Sequence, residues 1–414
     1  MKNFDVIVVG GGPAGMMAAG QAALLGKKTL LLEKMEKPGR KLLLTGKHRC
    51  NLTNTVSIEE ALLEFNREGR FLTQLYYRFY TDELRGFFKT LGISTVEQRG
   101  GRVFPTSEDA REIADTLFTW MRTSGVTVFT NTPVKELVIY NKQIEGVLTS
   151  DGEIKASSII LATGGKAYPG TGSTGDGYAL ARRAGHTIKP LRPALVPLIT
   201  AGNVAQDLQG LSLKNVSVTT RVNNKKREQL FGELMFTHFG LSGPVILTLS
   251  RKVVQDLESG NQPTVVIDLK PALSQEALNA RLLRDIQNFG RKQFSSLLEG
   301  LLPKKLIPIC IDQCGIPSDK KISQLSSQER KFLADWLKGG LDFTVTGHRG
   351  FGQAIITAGG IDTKEIDPAT MESRIIEGLY FAGEIIDIDA NTGGFNLQAA
   401  FSTGWAAGKA AGTN

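Results

Sequence analysis

The stretch FDVIVVGGGPAGMMAAGQAALLGKKTLLLEK, residues 4–34, decides the fold. Val6, Ile7, Val8 and Val9 form a β-branched run, as a strand buried on both faces requires. Gly10, Gly12 and Gly15 follow with G-x-G-x-x-G spacing, and a small-residue helix rich in Ala and Met runs on to Leu25, with Gly26 ending it. A second strand, KTLLLEK, closes on Glu33, 18 residues after the third glycine. The glycine spacing alone is a weak signal. Placed between a strand and a helix, with an acid closing the next strand, it is a strong one. The glycines let a pyrophosphate reach backbone N–H groups at a helix N-terminus, where the macrodipole favours negative charge. Glu33 would accept hydrogen bonds from an adenosine ribose, and its carboxylate repels a 2′-phosphate, so FAD or NAD fits better than NADP. A glycine turn without a ligand is the bland alternative.

Working outward, residues 107–124 carry apolar groups at helical spacing, with Ser107 as the expected N-cap. Residues 126–165 read as a strand and a meander with turns at Asn141–Lys142 and Asp151–Gly152, ending in SSIILATGG. From about 190 the character changes to short alternating runs such as LKNVSVTTRV and PTVVIDLK, a mostly β insertion. Residues 271–340 look helical and hold eleven Lys/Arg against seven Asp/Glu; a further basic cluster, RVNNKKR, lies at 221–227. Cofactor-type sequence then returns in GLYFAGE and a last small-residue helix. The expected organisation is a split α/β nucleotide-binding domain, 1–190 with 341–414, interrupted by a β-rich domain at 191–270 and a helical one at 271–340.

A chain of 414 residues suits two or three domains. Its 41% hydrophobic and 22% charged residues are those of a globular protein, while 46 glycines exceed the usual share of roughly 7%. The formal charge of +8 suits either a solvated basic surface or attraction to a polyanion such as nucleic acid. Cys50, Cys310 and Cys314 make no disulfide framework, which implies a reducing compartment. Cys310 and Cys314 lie four apart with no histidine near them, so no metal site is expected. Strand-like sequence from Phe4 leaves no room for a signal peptide, and no apolar run reaches the ~18 residues of a membrane span, so a cytoplasmic location is expected.

Together, the glycine motif with Glu33, ATGG at 162–165 and GLYFAGE at 378–384 resemble the flavoproteins with two dinucleotide-binding domains. More narrowly, RKLLLTGKHRCNLTN (40–54), ATGGKAYPGTGSTGDGY (162–178), GELMFTHFGLSGP (232–244), TAGGID (357–362) and GGFNLQAAFSTG (393–404) resemble the BaiN/RdsA-like, or YhiN-type, FAD-dependent flavoproteins over almost the whole chain. The resemblance implies a Rossmann-like FAD-binding domain split in sequence, a β-barrel-like insertion and a small helical domain. It also implies non-covalent FAD. By position Gly10, Gly12, Gly15 and Glu33 would hold the ADP half, and Val134 the adenine through its backbone. Thr163 and Gly164 would lie beside the cofactor, Gly383 and Glu384 would meet its ribityl and phosphate part, and Asn396, Leu397 and Gln398 would lie under the pyrimidine end of the flavin. The family often has Gly-Gly or Gly-Ser-Gly before its Arg-Cys-Asn, where this chain has Lys47–His48.

Flavin would supply hydride chemistry while the protein orients and protonates. Reducing a polarised C=C bond needs hydride from flavin N5 and a proton from a nearby acid or from water. Cys50 lies 17 residues after Glu33, and its next cysteine is 260 positions away, so a dithiol relay is disfavoured. A general-acid thiol, its pKa lowered by Lys47 and Arg49, is one reading, and packing is the other. His238 is the second candidate acid, with a structural role as its alternative. Arg40, Lys41 and Arg49 are read as phosphate ligands, of FAD or of a nucleic-acid substrate. No second glycine motif marks a nicotinamide domain, so NAD(P)H would act as a transient electron donor. Family members have been associated with reduction of uracil to dihydrouridine in large-subunit ribosomal RNA, the reading the charge favours. Others have been associated with small molecules, as conjugated-enone reductases or aminoacetone (amine) oxidases. A flavin-binding protein without enzymatic role is the third reading.

Overall fold

The computed structural model describes residues 2–65 and 68–413. Backbone contacts divide the chain into two units, residues 1–193 with 351–414, and residues 194–350.

The first unit is built on a five-stranded parallel sheet, ordered Leu379–Phe381, Ser158–Leu161, Val6–Val9, Thr29–Leu32, Thr127–Phe129. Val6–Val9 lies at its centre, buried on both faces as the β-branched run predicts. Helix Ala110–Thr123 buries Ile113, Leu117 and Met121, the spacing seen in the sequence. Its N-cap is Asp109, whose carboxylate accepts the Arg111 N–H; the expected Ser107 instead donates its hydroxyl to Glu112. Asn141 and Lys142, both left-handed (φ 49° and 61°), turn the chain between strands Glu136–Tyr140 and Gln143–Thr149.

The opening helix, Pro13–Leu24, packs along the closing helix, Phe395–Thr413. A Cβ on Gly404 would stand 2.3 Å from Ala14 O, and one on Gly408 the same distance from Ala18 O. Glycines four apart on one helix thus face alanines four apart on the other, because i and i+4 share a face. Backbones at this separation exclude any side chain larger than hydrogen at 404 and 408.

The second unit is a closed barrel, ordered Leu198–Thr200, Gly240–Ser242, Lys225–Thr237, Ser212–Val222, Pro263–Asp268, Leu341–His348. The last strand pairs with both Pro263–Asp268 and Leu198–Thr200. Residues 341–350 therefore belong with the barrel, not with the returning nucleotide-binding segment where the composition placed them. The helices Gln275–Phe289, Phe294–Glu299, Leu306–Cys314 and Ser327–Asp335 leave one barrel strand and return to the next. Leu278, Phe294 and Leu333 share a core with Val218 and Val265, so the helical segment is an excursion of the barrel rather than a separate body. The segment read as mostly β also holds a 15-residue helix, Pro244–Glu258, opened by proline at its first position and buried through Ile246, Leu249 and Val253. Among the described residues no helix is long and apolar enough to cross a membrane.

Candidate cofactor and active site

At the end of Val6–Val9 the chain turns through Gly10, whose φ of 105° and closeness to Ala162 (a Cβ would stand 2.5 Å from its carbonyl oxygen) both demand glycine. Gly15 is tighter still: a Cβ there would meet Gly10 O at 1.9 Å. A Cβ on Gly12 would meet nothing within 4 Å, so the helix N-terminus is open on that side alone. Crowded glycines hold the turn and the open one admits a ligand, the division of labour a bound diphosphate requires. The Glu33 carboxylate accepts N–H bonds from Gly11 and Met35, each at 2.7 Å. These two bonds fix its orientation and leave further lone pairs for ribose hydroxyls. Thr132 donates its N–H to Glu33 O and Asn131 to Met35 O, which brings the segment carrying Val134 alongside Glu33.

Segments far apart in sequence meet at this edge of the sheet. The Cβ that Gly10 lacks would also stand 3.0 Å from Thr163 Cα, so Thr163 and Gly164 border the cradle directly. Gly383 lies against Ala14, in the first turn of the opening helix, and its N–H donates to Thr403 Oγ1 at 2.9 Å. Glu384 is held by Lys41 Nζ at 2.6 Å and by the Thr357 N–H at 2.9 Å. Thr357 Oγ1 in turn accepts the N–H groups of Lys166 and Ala167. Arg40 donates to Gly170 O at 3.4 Å. Arg49 lies in different company: it pairs with Glu108 at 3.1 Å, reaches Gln98 at 3.3 Å and stacks over Phe104.

The loop 45–54 meets the start of the closing helix. Asn54 Nδ2 donates to Gly393 O at 3.0 Å, and a Cβ on Gly394 would stand 2.4 Å from Thr53 O. The Asn396 amide both donates to Ala390 O and accepts its N–H, each at 2.9 Å, fixing the entry to the helix. Leu397 packs on the core, and Gln398 donates to Ser402 Oγ. Cys50 is fully buried, with a φ of 60°. Burial pushes its thiol up to about 12, with a hydrogen bond to Thr45 pulling slightly the other way. The expectation of a thiol acidified by Lys47 and Arg49 is therefore overturned: Lys47 points to solvent, Arg49 is committed to Glu108, and desolvation decides. His238 belongs to the barrel unit, on an exposed turn beside Phe239.

Three buried side-chain oxygens around this edge, Thr163 Oγ1, Asn51 Oδ1 and Gln398 Oε1, have no hydrogen-bond partner among the described residues. Buried polar atoms are normally satisfied. Their clustering on the segments that border the glycine cradle and the closing helix fits a large polar cofactor such as FAD. The same region holds groups the sequence did not single out: Thr357, which ties three segments together, Asn51, and Asp387. Asp387 has a carboxyl raised to about 6 by burial and by Asp389, Glu68 and Asp362, against the pull of Lys189. TAGGID and RCNLTN contain the first two, but only the fold shows what they touch.

A Rossmann-type sheet with an open glycine cradle, an acid closing the second strand and unsatisfied polar atoms beside the last helix defines a FAD-dependent oxidoreductase. Residues 4–410 match the model of the HI0933-like protein Rossmann domain, and the chain belongs to that family. The 3-dehydro-bile acid delta(4,6)-reductase of Clostridium scindens is 33% identical over 407 residues, covering 98% of each chain. The ribosomal RNA dihydrouridine synthase of Haemophilus influenzae is 32% identical over 404 residues, 97% of this chain and 96% of that one. Among solved structures, the 3-ketosteroid-delta4-(5alpha)-dehydrogenase of Rhodococcus jostii is similar in fold, with a TM-score of 0.55 at 15% identity, over 100% of this chain and 97% of its own.

Proposed function

We propose that the protein reduces a polarised C=C bond, the C5=C6 bond of uracil in large-subunit ribosomal RNA, giving dihydrouridine. The observation that carries this reading is the distribution of charge. Residues 194–350 hold 20 Lys/Arg against 14 Asp/Glu, a net +6 of the chain's +8, while the larger cofactor-binding unit is close to neutral. A polyanionic substrate gives that asymmetry a purpose. The H. influenzae relative's name describes the same reaction. An RNA substrate also accords with a cytoplasmic location.

Gly10, Gly12, Gly15, Glu33 and Val134 hold the ADP half of FAD in this reading, with Arg40, Lys41, Thr163, Gly164, Gly383 and Glu384 along its middle. The flavin, once bound, supplies a hydride at N5, replenished by NAD(P)H from solution. Cys50 Sγ holds a proton through the whole neutral range, because burial keeps it a thiol. It is the candidate proton donor for the second carbon of the reduced bond in this reading, a weak one because burial holds the proton tightly, with His238 as the alternative.

A second reading has its own support: the C. scindens relative is named as a bile acid reductase, and a conjugated ketone is also a polarised C=C acceptor. Oxidation of aminoacetone is a further small-molecule reading. Reduced holoprotein mixed anaerobically with unmodified large-subunit ribosomal RNA separates them. RNA-dependent flavin reoxidation, with dihydrouridine in the digested RNA, is expected. Reoxidation by an enone alone would transfer the assignment to a small molecule, and peroxide release with aminoacetone in air would point to the oxidase. Cys50→Ser should bind FAD and accept electrons normally but reduce substrate at least tenfold more slowly; full turnover would return Cys50 to packing.

A further inference from the structure

The barrel strands Ser212–Val222 and Lys225–Thr237 form a long hairpin with a tip at Asn223–Asn224. Residues along a strand alternate between faces. On the second strand Leu234 and Phe236 point into the core, at 0% and 1% exposure, so Phe231 faces outward, at 62%. Directly opposite Phe231 across the ladder is Ser217, and opposite Gln229 is Thr219. The register shifts between Thr220 and Arg221, leaving Arg227 as an extra residue, so that Arg221 stands opposite Lys226. A bulge of this kind re-aims side chains. Without it, Lys226 would have the opposite parity to Phe231; with it, Lys226 joins Arg221, Gln229 and Phe231 on one outer face.

That arrangement has a cost. Like charges directly opposite in a sheet destabilise it, and the hairpin's ion pairs Arg227–Asp256 and Glu228–Lys252 use other groups. Lys226 Nζ leans along the strand to Gln229 Oε1 at 2.5 Å, and Gln229 Nε2 donates to Ser217 Oγ at 2.6 Å. A polar line thus runs from the paired cations to the edge of an exposed aromatic ring. The acid on this face, Glu233, lies on the far side of Phe231 from the cations, followed by the half-exposed Met235.

We propose that this face is a landing strip for single-stranded RNA, with Phe231 stacking an unpaired base and Arg221 and Lys226 taking phosphates toward the hairpin tip. Two ladder steps, roughly 14 Å at about 3.4 Å per residue, separate the ring from the cation pair, a reach of a few nucleotides. An aromatic platform beside a basic track is the usual composition of such surfaces. A second copy of this chain fits less well, because a self-pairing face would bring the Arg221–Lys226 cations against themselves. The proposal deepens the RNA reading above and rests on it.

The test is binding of a dye-labelled, uracil-rich, unstructured RNA to the FAD-loaded full chain, read by anisotropy across a salt series. Phe231→Ala should weaken binding roughly 10-fold, within the range given by stacking on an aromatic side chain, and Phe231→Trp should keep it. Arg221→Gln with Lys226→Gln should lower the slope of log affinity against log salt by about 1.4, two phosphate contacts at about 0.7 each. All three proteins should keep the wild-type flavin spectrum and melting temperature. If wild-type protein binds this RNA and is reoxidised by ribosomal RNA, yet all variants bind as it does, this surface is wrong and the RNA reading stands. If wild-type protein neither binds RNA nor is reoxidised by it, the reading fails and takes the surface with it. Loss of self-association in Phe231→Ala, with RNA affinity unchanged, would assign the face to a protein contact instead.

Discussion

The two units differ in what touches what. In the nucleotide-binding unit the closest approaches are backbone to backbone: Gly10 on Ala162, Gly15 on Gly10, Gly404 on Ala14, Gly408 on Ala18. In the barrel unit such an approach recurs, Gly240 on Leu198, but the bulk of the core is side chain on side chain, with Leu234, Phe236, Leu249, Phe294 and Leu333 filling one continuous cluster. The first kind of packing fixes residue identity, because a single methyl has nowhere to go. The second fixes only volume and apolarity, which many sequences satisfy.

The strongest way to break this contrast is to add carbon to one unit and reshape it in the other. Gly404→Val forces Cβ toward the Ala14 carbonyl and should abolish flavin retention, leaving little folded protein in a thermal melt. Leu249→Met, a volume-conserving change, should cost under about 1.5 kcal/mol and leave the flavin in place. A Gly404→Val protein that purifies yellow and melts within a few degrees of wild type would remove the distinction.

Electrostatics extends the comparison. Acids in both units sit 2.6 Å from lysines, Asp268 and Glu329 in the barrel unit and Asp176 and Glu384 in the other; Asp387 differs from all four in lying buried among other carboxylates. Its folded pKa, about 6, exceeds the unfolded value of about 3.9. The native state therefore holds this proton more tightly. The group's contribution is fully present below about pH 4, is lost as pH rises to about 6, and is level above that. Asp387→Asn should raise the melting temperature by roughly 2–4 °C at pH 8, about 1 kcal/mol, and confer no gain at pH 4. A gain equal at both pH values would mean that something other than this titration is relieved.

A smaller effect is expected in the loop before Cys50. Lys47 and His48 are both left-handed, with φ of 58° and 69°, where side chains are disfavoured by roughly 1–2 kcal/mol per residue. Replacing both with glycine should stabilise the protein by about 1 kcal/mol after the extra chain entropy is counted, measured by urea unfolding. Destabilisation would show that their side chains hold the loop, for instance through the bond between His48 Nδ1 and Leu43 O.

The smallest effect is kinetic. The sulfurs of Cys310 and Cys314 lie 3.8 Å apart on one helix; the hydrogen bond they share raises the Cys310 thiol and lowers the half-buried Cys314. Alkylation at pH 8 followed by peptide mass spectrometry should label Cys314 first, and Cys50 and Cys310 only on unfolding. Early labelling of Cys50 would contradict its burial.

How legible each part was follows from the same distinction. The parallel sheet and the opening cradle could be read directly, since glycine positions and a buried β-branched run are local signals. The barrel could be read as β-rich but not traced. Its strand Leu341–His348 follows 70 residues of helical excursion, and the Pro244–Glu258 helix lies among short strands, so composition averaged over both. At the site, the loop at 50–54 and the closing helix were each picked out, but their contact through Asn54 and Gly393 spans 339 positions and leaves no local trace. The Cys50 environment was misjudged because neighbours in sequence were taken as neighbours in space. Lys47 and Arg49 flank the thiol along the chain, yet Lys47 is exposed, Arg49 pairs with Glu108 and only Cys50 is buried.

The helix that packs on Ala14 and Ala18 is made long after them, and this orders the birth of the molecule. At roughly 5–20 residues per second, a ribosome needs on the order of 20 to 70 seconds after finishing the opening helix to reach Phe395. Throughout that interval the first-made strands wait without Leu379–Phe381 at their edge and without the glycine face that fits the alanine one. The barrel, contiguous in sequence at 194–350, has all its strands in hand well before. The split unit is thus completed only after the barrel, and until then its alanine face lacks the glycine face that covers it.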